Sequence, residues 1–216
     1  MRLDVHHTLH ETGDTLKSVY FCNSGMISIL NVFPDGKSVE VGLVGKEGFV
    51  GLPLIAGFRT ASNRAISQIK ATAFRMDSQV LLSHLELCTS LTRQLQQCSQ
   101  IAAMEMGQIA ACNRLHEVHE RLARWLLMCA DRVDSNSLTL TQEFLGQMLG
   151  TRRSSVTVAA GMLQKAGIIN YSRGDVKILD RAQLEITACE CYGIMRRQAE
   201  EWRSQAREFR STAHIS

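Results

Sequence analysis

Apolar and polar positions alternate along the first third of the chain, and the period then lengthens. "SVYFCNSGMISIL" and "GKSVEVGLVG" are rich in β-branched and aromatic residues, and such period-two runs between turn signals predict strands. Between them "FPDGKS" (33–38) holds an Asp-Gly pair, a hairpin signal because glycine tolerates positive φ. Alternation resumes from Ile66 to Met76. Short strands with glycine turns predict an antiparallel roll or sandwich. From Gln79 to Cys112 there is no proline and one glycine, Gly107. Leu91, Leu95, Cys98, Ala102, Ile109 and Cys112 recur there at helical spacing, interrupted by Glu105. This predicts one long helix. Its small residues Ala102, Ala103, Gly107, Ala110 and Ala111 suit close approach of a twin helix, although an intrachain core helix has the same pattern.

A second helix is expected in "NRLHEVHERLARWLLMCADRV", with Leu115, Val118, Leu122, Trp125, Leu126 and Cys129 facing inward, ending at "DSNS". The stretch "LTQEFLGQMLGTRRSSVTVAAGMLQ" (140–164) then reads as helix, turn, helix. The first helix spans about Gln142 to Leu149, with Gly146 at the crossing, where a side chain would push the helices apart. Gly150 can take the positive φ that ends it. Thr151 is the expected N-cap of the second helix, with Arg152 and Arg153 in its first turn. Leu145, Leu149, Val156, Ala159, Ala160 and Leu163 supply the apolar faces. A strand, a turn at Gly174 and a second strand are expected in "AGIINYSRGDVKILD", followed by a charge-rich helical tail from Asp180 to Arg210.

Two cations at a helix start oppose the macrodipole, at a cost below about 1 kcal/mol for an exposed turn. A bidentate arginine–guanine contact contributes about 1–3 kcal/mol of base discrimination, so a polyanion outside resolves the conflict. In a helix-turn-helix the second helix enters the major groove by its N-terminal end. Arg152, Arg153, Ser154 and Thr157 project from those leading turns. Thr139 and Thr141 are candidates for phosphate contacts, and Arg173 with Lys177 for a wing along the backbone. From 138 to 177 five Lys/Arg face only Glu143 and Asp175. A purely structural helix pair, with both arginines solvated, is the plainer alternative.

Composition adds limits. The 216 residues, 45% hydrophobic and 21% charged, are those of an ordinary globular chain, and a net charge of +3 does not by itself argue for a polyanion. No apolar run approaches a membrane span, and "MRLDVHHTLHETGD" lacks a signal-peptide core, so a cytoplasmic protein is expected. The seven cysteines show no C-x-x-C pair, and no Cys/His pairing at zinc spacing stands out. They are expected to be free thiols acting as small hydrophobes. Cys189 and Cys191, placed on one helix, would point apart; no metal site and no cofactor is expected. His6, His7 and His10 are candidate haem or metal ligands, or simply an edge-strand group. No G-x-S-x-G, H-E-x-x-H or phosphate loop is present, and "GKEGFVG" lacks a following helix, so no enzyme is expected.

Taken together, "LHETGDTLKSVYFCNSGMISIL", "GKEGFVGLPLIAG", the long helix and "LTQEFLGQMLGTRRSSVTVAAGMLQKAGIINYSRGDVKILD" resemble the catabolite-activator/fumarate–nitrate regulator (CRP/FNR) superfamily of transcription regulators over nearly the whole chain. The resemblance implies an α+β protein: an N-terminal antiparallel β-roll of the cyclic-nucleotide-binding type, a long dimerisation helix and a C-terminal winged helix-turn-helix. Expected boundaries are 1–78, 79–113 and 114–216, the last including the tail helix. The implied partners are double-stranded DNA, a second copy through the 79–113 helix, and RNA polymerase, with no membrane. The sequence starts short of the helical segment with which the family usually opens.

The departures concern the signal. Members that bind cyclic AMP carry a Gly-Glu pair for the ribose and an Arg-Ser pair for the phosphate. Here Gly51-Leu52-Pro53 lacks the carboxylate and Ala65 stands at the arginine position. Arg64 is one residue off, which places it on the other strand face. Gly51 and Arg64 are therefore weak effector-site candidates, and an effector other than cyclic AMP is expected. Oxygen-sensing members carry an N-terminal cysteine cluster; the only early cysteine here is Cys22.

Overall fold

A computed structural model describes residues 1–172 and 174–212, with side chains described through Arg207. The alternating segments form an antiparallel sheet: β1 (Arg2–Leu3), β2 (Thr8–His10), β3 (Ser18–Val32), β4 (Ser38–Val44), β5 (Phe49–Val50) and β6 (Arg64–Asp77). β6 pairs with β3 from end to end, Tyr20 opposite Arg75 and Ile29 opposite Ala65. The other edge of β3 is shared, β5 pairing with Tyr20 and Phe21 and β4 with Ile27 to Val32. One strand can serve two neighbours because it bends. Its register with β6 slips repeatedly between Cys22 and Ile27. There Gly25 adopts a φ of +79°, and a Cβ would lie 2.3 Å from the Lys70 carbonyl oxygen. The roll is therefore curled at a position only glycine can occupy.

The expected single long helix is two. α1 (Ser78–Leu87) starts under the cap of Asp77, whose carboxylate accepts the Gln79 N–H, and stops at Cys88. α2 (Thr89–Leu115) runs on past the expected end at Cys112. Leu115 therefore closes α2, where it is 75% exposed, instead of joining the inward stripe of the next helix. α3 (Val118–Val133) begins with a capping box between Glu117 and Glu120. Every residue of α3 from Arg121 to Ala130 is buried. It lies between roll and C-terminal unit and shares one apolar cluster with Met26 and Leu30 on one side and Leu145 and Val156 on the other.

Two polar links fix α3 to the roll. Glu40 of β4 is fully buried; it accepts from Trp125 Nε1 at 2.6 Å and from Ser28 Oγ at 2.6 Å. Arg132 meets Glu47, just after β4, and Glu105 of α2, both at 2.9 Å. The acidic interruption of the α2 stripe thus receives a cation from α3. Beyond α3 come β7 (Ser137–Thr139), α4 (Gln142–Met148), α5 (Arg153–Lys165), β8 (Ile169–Ser172), β9 (Asp175–Ile178), α6 (Arg181–Thr187) and α7 (Cys191–Thr212). The expected strand-turn-strand is present, with β7 as an unanticipated third strand in the order β7-β9-β8. Asp131 of α3 receives Arg181 at 2.6 Å and the Tyr192 hydroxyl at 2.8 Å, holding the last two helices against it.

Burial pushes the Glu40 carboxyl up from 4.5 to about 7, against the hydrogen bonds from Ser28 and Trp125. The folded chain then keeps this proton over a range in which the unfolded chain has lost it. Stability should fall between pH 4.5 and 7, by on the order of 3 kcal/mol from this group. Urea unfolding across that range should show the slope flattened in Glu40→Gln; an equally steep variant would contradict the assignment.

Candidate nucleic-acid interface

Thr141 opens the helix-turn-helix by accepting the Phe144 N–H at 3.2 Å, the ordinary work of an N-cap hydroxyl. Behind it α4 is short and mostly buried, with Phe144, Leu145, Gly146 and Met148 facing inward. It ends in a paired closure: Gly150 N–H bonds to the Gln147 carbonyl at 3.1 Å and Thr151 N–H to the Gly146 carbonyl at 2.9 Å. This is the six-to-one, five-to-two pattern that needs a left-handed residue, and Gly150 supplies a φ of +57°. At Gly146 a Cβ would stand 3.1 Å from the Thr151 carbonyl oxygen and 3.5 Å from the Arg153 nitrogen. A side chain there would require the turn backbone to give by a few tenths of an ångström.

Thr151 is not the N-cap of the second helix. Its N–H is consumed in closing the first one, and the first helical bonds of α5 run from Ser155 and Val156 N–H to the Arg152 carbonyl. Arg152 takes the capping position, in extended conformation and without a side-chain cap. Val156, Ala159, Ala160 and Leu163 are buried against α3 and α4 as expected, whereas Arg152, Arg153, Ser154 and Thr157 are exposed. Neither arginine takes part in an ion pair among the described residues. The exposed Thr157 hydroxyl donates toward Gln142 Oε1 at 2.8 Å and the Arg153 carbonyl at 3.0 Å, so it braces α5 against α4. Thr139 donates to Asp175 at 2.9 Å and ties β7 to β9. The neighbouring hairpin keeps Lys177 exposed; Arg173, expected in the wing, lies outside the described residues.

The back of this unit rests on the roll. A Cβ on Gly150 would come within 2.9 Å of Val39 Cγ2 on β4. The Phe144 ring lies 6.4 Å from Trp125 and 6.1 Å from His6. His6 therefore packs beside an aromatic ring. His10 is half-buried, and that burial lowers its pKa.

The weak effector candidates have structural employment. Gly51 has a φ of +129°, and a Cβ there would sit 2.6 Å from Val19 Cγ1. Arg64 pairs with Glu11 at 2.6 Å. A cavity of about 630 Å³ opens between the roll (Phe49, Leu52), α2 (Gln97, Ile101) and α7 (Trp202, Arg203), and neither Gly51 nor Arg64 lines it.

One cluster escaped the sequence reading. Cys189 precedes α7 and Cys191 begins it, so the two thiols do not diverge around one helix. They converge with Cys112 and His116, all four ligand-type atoms lying within 4.8 Å of one another. The signal in the sequence was Cys112-x-x-x-His116, one helical turn apart at the end of α2.

Comparisons with known proteins agree with this architecture. A cyclic nucleotide-binding domain model matches residues 1–86 and a Crp-like helix-turn-helix domain model matches 120–186. A CRP-like, cAMP-activated global transcriptional regulator of Mycobacterium tuberculosis is 26% identical over 187 residues, 82% of this chain and 83% of its own. Among solved structures, a CRP-family regulator of Thermus thermophilus superposes with a TM-score of 0.73 at 20% identity, covering 87% of this chain and 96% of that one. FixK2 of Bradyrhizobium japonicum gives 0.75 at 15%, covering 88% and 96%. The c-di-GMP-responsive regulator CLP of Xanthomonas campestris gives 0.67 at 16%, covering 82% and 92%.

The crossing at Gly146 generates a direct test. Gly146→Val should lower unfolding stability by about 1–3 kcal/mol through overpacking of α4 on the turn. Chemical denaturation would measure it, and a neutral result would show that the crossing has slack.

Proposed function

This chain belongs to the CRP/FNR superfamily of transcription regulators, with a helix-turn-helix DNA-binding domain, and we propose that it acts as a homodimer reading a near-palindromic operator through α5. The observation that carries the reading is the outer face of α5. Arg152, Arg153 and Ser154 stand exposed on its first turn while its opposite face is buried. Two guanidinium groups without carboxylate partners among the described residues retain their donors for base edges or phosphates. Thr157 would act mainly by positioning Gln142 and the α5 backbone, and Thr141 by capping α4. Phosphate contacts would then come from backbone N–H groups and from the wing, including Arg173 and Lys177.

Dimerisation is supported by α2. Ala103, Gly107, Ala110 and Ala111 of the expected seam form one exposed face, while Ala102 is half-buried beside the cavity, and a Cβ on Gly107 would meet nothing. A stripe of small residues lets two helices approach closely, and the twofold axis would set two α5 helices one duplex turn apart. The exposed Leu87 and Leu115 at the ends of α1 and α2 would also be covered. In this reading residues 1–78 form the sensor, 79–113 the joining helices and 114–216 the reading unit, with RNA polymerase as the downstream partner.

The effector in this reading differs in chemistry from cyclic AMP, because the roll offers neither a carboxylate beside Gly51 nor a free guanidinium at residue 64. The cavity facing α2 and α7 is the better place for a signal. A ligand acts by its differential affinity for two dimer arrangements.

Duplex affinity should fall steeply with salt, with a log–log slope of about −0.9 per phosphate contacted. Arg153→Ala should cost about 1–3 kcal/mol and relax base choice at one position in each half-site. Selection of bound duplexes with wild type and variant checks both; an unchanged base profile would remove Arg153 from the reading set. By sedimentation, Gly107→Arg should shift the protein toward monomer and weaken operator binding, while the same sedimentation profile as wild type would place the dimer contact elsewhere.

A further inference from the structure

Four ligand-type side chains meet where α2 ends and α7 begins. Cys112 Sγ and Cys189 Sγ are 3.4 Å apart, and Cys191 Sγ lies 3.7 Å from His116 Nδ1. The three cysteines are 0–4% exposed. A tetrahedral ion with metal–sulfur bonds of about 2.3 Å needs ligand atoms about 3.8 Å apart. Thiolates that ligate the separate irons of an iron–sulfur cluster stand farther apart. We propose that Cys112, His116, Cys189 and Cys191 form a mononuclear site of three sulfurs and one nitrogen for a thiophilic divalent cation of the zinc class.

The surroundings fit that assignment. His116 presents Nδ1 to the cluster while its Nε2 faces Glu190 Oε1 at 3.1 Å. A carboxylate on the outer nitrogen fixes the tautomer and leaves the inner nitrogen's lone pair for the metal. Gln108 Nε2 donates to Cys191 Sγ at 3.1 Å, as an amide does toward a ligating thiolate.

The charge of the surroundings is opposite in sign. Three thiolates, a neutral imidazole and a divalent ion sum to one negative charge. Arg121 and Arg124 are buried, and both interact electrostatically with Cys112 and Cys189. Neither has a carboxylate ion-pair partner among the described residues, and the Nε of each is buried without a hydrogen bond. Arg124 also faces the buried Glu40 and Arg121 the Leu149 carbonyl, and a metal–thiolate centre of net negative charge would be stabilised beside them.

The site's placement defines its role. Cys112 belongs to the last turns of α2, His116 to the two-residue link before α3, and Cys189 and Cys191 to the link between α6 and α7 and the start of α7. A bound ion would clamp the C-terminal helices to the pivot between α2 and α3. Arg121 extends the connection by donating to the Leu149 carbonyl at the end of α4. The proposal stands independently of DNA binding, and its test uses none.

The experiment is titration of the full chain with Co(II), anaerobically and with a non-chelating reductant. Intense visible bands of tetrahedral Co(II) and thiolate charge-transfer absorption should saturate at one equivalent per chain and bleach on adding Zn(II). The Cys189→Ser/Cys191→Ser double variant should lose the bands. Glu190→Gln should weaken binding by about tenfold or more, and Cys88→Ser, outside the cluster, should leave it unchanged. Absence of the bands in the wild-type chain, or their survival in the double variant, would overturn the site; the wild-type titration decides even where a variant does not fold.

Discussion

The connection between roll and reading unit rests on one buried carboxyl. Glu40 sits on a strand of the roll, and its partner Trp125 is the largest fully buried side chain of α3. An unpaired carboxylate in that position would be prohibitive, so the surroundings must supply donors or keep the proton on. They do both: Ser28 and Trp125 donate, and burial favours the neutral form. The same helix packs its other side against α4 and α5. A shift of the roll relative to α3 therefore strains a buried hydrogen bond. Arg132, bridging Glu47 and Glu105, adds a second fixed point at the far end of the helix.

Much of the fold was legible because the local signals agreed with the tertiary result. The long alternating runs became β3, β4 and β6, and the Asp-Gly pair marked the β3–β4 turn. Gly146 occupies the tight crossing, and Gly150 the left-handed closure that favours glycine. What failed was the placement of boundaries. Cys88 interrupts an otherwise continuous helical pattern without proline or glycine, and nothing in its side chain announces the break. Leu115 matches the α3 stripe in spacing but belongs to α2. Thr151 has the side chain of an N-cap, yet the first helical bonds of α5 return to the Arg152 carbonyl, so Arg152 holds the cap position.

The candidate site divides along the same line. Exposure of Arg152, Arg153 and Ser154 followed from helical spacing alone. The hydrogen bond of the Thr157 hydroxyl did not, because it depends on Gln142, fifteen residues away. The cysteine and histidine cluster depends on still longer separations, its halves lying 77 residues apart between Cys112 and Cys189. Spacing rules applied to a contiguous stretch do not detect such a pairing. They found Cys189 and Cys191 and misjudged them by assuming a helix through both.

The contact between Gly150 and Val39 has a consequence for how the two units fit together. The turn between α4 and α5 is seated on a strand of the roll, where a methyl group on Gly150 would force the Val39 side chain to shift. The fit between roll and C-terminal unit in this chain is then set by side-chain volume at position 39 as much as by the missing Cβ at position 150. A larger side chain on either side of that seat calls for a smaller one opposite.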